Sequence, residues 1–174
     1  SSMRPYVLLL LVACPSPSPA DTAPNRGGCP DFTAGRSQGE VASDALTEAS
    51  GLAAGLANPG VLWTHNDSGD SARLLAMTPG GAHRGQVRLA GVTATDWEDM
   101  ASCRVADQDW LVVGDIGDNK ARRDAIALHR LPEPTLGGAD VEVTPETLTL
   151  SYPDGPRDAE TLLCDAQTGD LFVL

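Results

Sequence analysis

The chain has 174 residues and a formal net charge of −12, with 24 acidic residues against 12 Lys and Arg and Lys120 as its sole lysine. That balance excludes a nucleic-acid partner, because affinity for a phosphate backbone comes largely from clustered Lys and Arg. An aromatic share of 4% argues against a stacking platform, while 18 glycines and 13 prolines favour many turns over long helices.

The first predicted element is a targeting segment over residues 1–14, which stands outside the fold. Met3 and Arg4 supply a start and a positive charge, and Tyr6 to Ala13 is an apolar run too short to span a bilayer as a helix. Leu11-Val12-Ala13-Cys14 resembles the bacterial lipoprotein signal, in which small residues precede a lipidated cysteine. The resemblance implies lipidation at Cys14, membrane attachment through that lipid, and residence at the bacterial cell envelope or outside the cell. Residues 15–45 read as a tether, because Pro15-Ser16-Pro17-Ser18-Pro19 favours extended, solvated chain.

Residues 46–174 carry a repeat. Thr47-Glu48-Ala49-Ser50-Gly51-Leu52-Ala53, Thr95-Asp96-Trp97-Glu98-Asp99-Met100-Ala101 and Arg157-Asp158-Ala159-Glu160-Thr161-Leu162-Leu163 share one pattern. The segment Val61 to Ser71 aligns with Asp109 to Asn119 at the same spacing as the first two copies, which sets Asp67 against Asp115 and His65 against Val113. Apolar runs bounded by Gly, Pro, Asn and Asp predict strands. In the first unit they fall at 49–54, 61–65, 73–78 and 85–89. In the second they fall at 98–105, 110–114 and 125–131, with a fourth inside 141–152. A third unit begins near Arg157 and reaches a strand signal at 171–174.

Short strands repeating about every 40–50 residues predict an all-β fold, a β-propeller of four-stranded antiparallel blades. Two blades and the start of a third are present, so a larger propeller is expected. The order of acidic start, apolar strand, turn, apolar strand and acidic loop resembles bacterial secreted propellers of the phytase-like and SdiA-regulated kind. It is also similar to strictosidine-synthase and gluconolactonase-like propellers. Those families include phosphatases, esterases, lactonases and non-enzymatic members, so the resemblance implies architecture more than activity.

The repeat places acids at strand starts. Alternate residues of a strand share a face, so Asp96 pairs with Glu98 and Asp158 with Glu160. With Glu48 they form an acidic column, and crowded carboxylates are relieved by a hard cation such as Ca²⁺. Solvent-facing strand ends are the alternative. The loops carrying Asp67 and Asp70, and Asp115, Asp118 and Asn119, offer weaker metal ligands, and structural turns are the better reading of them. They lack the length and terminal Glu of an EF-hand.

His65 is a candidate base or ligand outside the periodic design, with a partly buried, hydrogen-bonded histidine as the commoner alternative, while His83 and His129 read as surface residues. Trp63, Trp97 and Trp110 are expected to pack between blades. Cys103 and Cys164 occupy corresponding parts of successive units. They read as buried thiols, with pairing as the alternative, since neighbouring inner strands diverge. Gly-x-Ser-x-Gly, nucleotide-binding and zinc motifs are absent. Two functions follow. The first is an envelope-anchored binding or scaffold module for a small-molecule or protein ligand. The second is a calcium-dependent hydrolase of phosphoesters, esters or lactones.

Overall fold

A computed structural model describes residues 34–137 and 140–174; Cys14 and the targeting segment lie outside them. The described residues form eleven strands and no helix. They are β1 (Ala49–Ala54), β2 (Leu62–Asn66), β3 (Arg73–Met77), β4 (His83–Leu89), β5 (Trp97–Val105), β6 (Gln108–Asp115), β7 (Ile126–Pro132), β8 (Val141–Val143), β9 (Glu146–Leu150), β10 (Leu162–Cys164) and β11 (Leu171–Val173). The all-β expectation holds, and the first seven strands lie within two residues of their predicted places.

Three sheets result, in the orders β1-β2-β3-β4-β8, β5-β6-β7-β9 and β10-β11. All pairings are antiparallel except that of β4 with β8, which runs parallel with Val87 opposite Val141 and Leu89 opposite Val143. The region expected to hold one last strand of the second unit thus divides. β9 completes the second sheet, and β8 crosses to the outer edge of the first.

Side-chain alternation along β6 explains how the sheets stack. Leu111 and Val113 enter an apolar cluster with Trp63, Leu74, Val87 and Trp97 of the neighbouring elements. Val112 faces the other way, into a cluster with Ile126, Leu162 and Val173. A sheet buried on both faces needs this continuous apolar run. β5 carries a bulge between Trp97 and Asp99, which puts Trp97 and Met100 into the same cluster despite their odd spacing.

The first strands of the sheets lie side by side, and side chains join them. Ser50 Oγ donates to the Glu98 carbonyl at 2.6 Å, and Ser102 Oγ to the Ala54 carbonyl at 2.7 Å. The Leu162 amide donates to Asp99 Oδ2 at 2.8 Å. Gly51 permits the approach of β5. A Cβ there would lie 2.6 Å from the Met100 nitrogen and 2.5 Å from His65 Nε2.

Four expectations need correction. Cys103 and Cys164 form a disulfide, their Cα atoms 5.9 Å apart, because β5 and β10 approach at these equivalent positions. His129 is buried at 5% exposure, since it points inward from β7 and Nδ1 meets Thr147 Oγ1 at 2.9 Å. Trp110 is only partly buried; it stands near the end of its hairpin with the Arg130 guanidinium 4.9 Å over its ring. Finally, the two units are out of step by one residue along β2 and β6. Ala53 opposes Trp63 whereas its counterpart Ala101 opposes Val112, so Asn66 rather than Asp67 matches Asp115, and His65 matches Gly114.

Candidate metal centre

Asn66 and Asp115 do the same local work. Asn66 Oδ1 accepts the Thr47 and Glu48 amides at 2.9 and 3.1 Å. Asp115 accepts the Thr95 and Asp96 amides at 3.0 and 3.2 Å. Each side chain ties the segment entering the first strand of its sheet to the end of the neighbouring strand. Asp115 is 2% exposed and bonded to Arg123 at 2.7 Å, so its charge is compensated within the protein.

Released from that role, Asp67 is free to point elsewhere. Its amide donates to the Glu48 carbonyl at 2.9 Å, and its carboxylate meets those of Asp96 and Glu98. One oxygen from each of the three lies within 4.8 Å of the others. The acids come from two sheets: Asp67 follows β2, Asp96 precedes β5 and Glu98 lies on β5. Gly117 leaves room for them, since a Cβ there would lie 2.7 Å from Asp96 Oδ2 and would collide with Glu98 Oε1.

The electrostatics match the crowding. Burial, then the neighbouring Glu160, Asp67 and Asp96, push the Glu98 carboxyl up to about 7. Burial and the Asp67 charge raise Asp96 as well, although Arg123 works in the opposite direction. Protonation relieves such a site, and so does a cation. Carboxylate oxygens without nitrogen or sulfur suit a hard ion of the Ca²⁺ or Mg²⁺ type. Ca²⁺ takes six to eight oxygens, so three carboxylates would be supplemented by further protein oxygens or water.

The other candidates divide. Glu160 and Asp158 are exposed beside the trio, and Asp158 Oδ1 accepts the Asp118 amide at 2.7 Å. Glu48 is exposed and lines a separate cleft of about 220 Å³ with Asn66, Asp70 and Arg73. Burial works to raise the Asp70 carboxyl, but Arg73 at 2.8 Å, Asn66 at 2.6 Å and the Ser71 amide together outweigh it and hold the carboxyl below its usual range. Asp118 Oδ2 accepts the Arg122 and Arg123 amides, both at 2.6 Å, closing the loop that contains the exposed Asn119. A second cleft of about 330 Å³ adjoins the trio and is lined by Thr95, Asp96, Asn119, Lys120, Arg122 and Arg123.

His65 is fully buried. Nδ1 meets the Asn66 carbonyl at 2.8 Å and the ring stands edge-on to Trp97 at 5.5 Å. Burial holds its pKa below the ordinary value, although the nearby Asp99 carbonyl favours the charged ring. His65 Nε2, Trp97 Nε1 and His129 Nε2 make no hydrogen bond of good geometry within the described protein.

Sequence reasoning missed Asn66, Asp99 and Gly117 as shapers of this region. A polar residue closing one strand of each unit was the available signal for Asn66, obscured by the one-residue slip. Comparison with protein-family models, curated proteins and solved structures finds no match for this chain.

Proposed function

We propose that the chain is a divalent-cation-dependent binding module on a β-propeller scaffold. The observation that carries the reading is the convergence of Asp67, Asp96 and Glu98 from two sheets on one point, where burial and neighbouring carboxylates destabilise the charged forms of Asp96 and Glu98. A bound Ca²⁺ at the rim would offer open coordination positions to an oxygen-bearing small molecule or protein. The propeller reading is supported by stacked antiparallel sheets whose first strands lie side by side and are joined by Ser50, Ser102, Asp99 and the disulfide. Export is supported by the same disulfide, since such bonds persist in oxidising compartments. Together with the signal-like segment ending at Cys14, it favours lipid attachment at the bacterial envelope.

A second reading has its own support. Lys120, Arg122 and Arg123 line the cleft beside Asp96, so a cation and these side chains could grip a phosphoester between them. The cation would then lower the pKa of bound water for attack, making the protein a calcium-dependent hydrolase.

Calcium titration calorimetry on the whole chain tests the first reading. Binding stabilises the fold by about 2.7 kcal/mol when free Ca²⁺ is a hundred times its dissociation constant. Asp96→Asn and Glu98→Gln are expected to remove most of that gain, and absence of calcium binding by the unmodified chain sinks the reading. Turnover of an aryl phosphate in calcium, lost in both variants, would decide for the hydrolase.

A further inference from the structure

The third hairpin, β10–β11, belongs to neither larger sheet, yet it delivers Asp158 and Glu160 to the acidic region. The short run between these acids and Cys164 is fastened at successive points. Asp158 accepts the Asp118 amide, and Ala159 is buried against the second sheet. The Glu160 and Thr161 amides donate to the Leu174 carbonyl, and the Leu162 amide donates to Asp99. Cys164 is then bonded to Cys103 of β5. Of these ties to β5, the disulfide is the covalent one. The remaining polar attachments at Asp158 and Leu162 are single hydrogen bonds, each modest in net worth.

We propose that the Cys103–Cys164 disulfide is a positioning element for the acidic centre, a redox latch that holds the 158–164 segment, and with it Asp158 and Glu160, against the Asp118 loop and β5. The link to cation affinity rests on the proposed cation site; the positional part does not. A dithiol reductant opens the latch. Its thiolate attacks the sulfur of partly exposed Cys164 and Cys103 leaves as thiolate. The second thiol of the reductant then displaces Cys164, so that two electrons and two protons pass to the protein and the reductant ends as its own disulfide. With the latch open, the segment keeps its bonds within the hairpin, but its attachment to the second sheet and the Asp118 loop falls to the two hydrogen bonds and the apolar packing of Ala159, Leu162 and Val173, and the acids lose their fixed place.

Amide hydrogen exchange on the whole chain, before and after dithiothreitol, tests this directly, with calcium affinity measured in parallel. Reduction is expected to speed exchange at Asp118 and Leu162 at least tenfold while Val113 in β6 stays protected, and to weaken Ca²⁺ binding about tenfold. Cys164→Ser should reproduce the reduced state without reductant. Unchanged protection at Asp118 and Leu162 overturns the proposal. Loss of protection at Val113 as well also overturns it, since the disulfide would then be a global staple. Faster exchange with undiminished calcium affinity overturns the link to the site. An oxidised chain that binds no calcium removes the cation reading, while exchange at the two amides still judges the latch.

Discussion

Glu98 concentrates the electrostatic cost of the fold in one carboxyl. Its pKa rises from 4.5 to about 7, first through burial and then through Glu160, Asp67 and Asp96. A raised carboxyl favours the folded state when protonated, so its contribution is fully present below pH 4.5 and is lost as pH rises through about 7. With chelator present, the unmodified chain should therefore lose on the order of 1 kcal/mol relative to Glu98→Gln across that window, a figure reduced for screening by solvent. Urea unfolding at a series of pH values measures the difference, and parallel curves for the two proteins would refute it. Buried His65 and His129 act in the opposite sense. Their lowered pKa values make stability fall as pH drops below 6.5, and this largely cancels between the two proteins compared. Gly117→Ala should abolish calcium binding, because its Cβ would occupy the space of the Glu98 and Asp96 carboxylates. Calorimetry reads the loss, and retained affinity would show that the trio is not the centre. The acids at strand starts were legible because they recur in the sequence. Asp67 was legible only as an acid in a loop. Its convergence with Asp96 and Glu98 depends on the one-residue slip between β2 and β6, which an ungapped alignment conceals.

Among the elements, the β5–β6 hairpin is the longest and turns on Ala106 and Asp107, both left-handed at φ 48° and 63°. This is the conformation of a two-residue primed turn, for which Asn-Gly is preferred. Replacing Ala106 by Asn and Asp107 by Gly is expected to stabilise the protein by up to about 1 kcal/mol. A denaturation midpoint at or below that of the unmodified chain would contradict this reading of the turn. Strand identity was legible here because apolar runs and turn residues act over short range. The fate of β8 was not, since three residues carry no mark of the sheet they join. Glu133 was equally silent. It follows β7, yet it accepts the Leu56 and Ala57 amides at 2.7 and 2.8 Å, Asn58 Nδ2 at 2.7 Å and Trp63 Nε1 at 2.9 Å. A carboxylate whose partners lie 70 to 77 residues earlier gives no local signal. Glu133→Ala should cost about 3 kcal/mol or more by leaving several donors without an acceptor, and Glu133→Gln less. Urea unfolding would expose a smaller cost, in which case other acceptors reach the turn.

At the scale of the whole molecule, β8 and Glu133 bind the two larger sheets into one unit. The outer edge of the first sheet and the inside of its first turn are both completed by the chain that leaves the second. The repeat boundary in the sequence, between Leu89 and Trp97, is therefore not a boundary in the structure. A net charge of −12 adds self-repulsion, so moderate salt should stabilise the calcium-free protein, as a rise in melting temperature between low and near-physiological ionic strength would register. The crossing of β8 also has a consequence for synthesis on the ribosome. When β4 has been made, its outer edge awaits a strand that begins at Val141, about fifty residues later. At elongation rates of about 5–20 residues per second, that edge stays open for roughly 3–10 s, and for the further time the new segment needs to clear the exit tunnel. An unpaired β edge is a template for pairing with another chain. The nascent protein thus passes through an interval in which its first sheet is formed but unsealed, and a chaperone that shields strand edges during translation would act on it then.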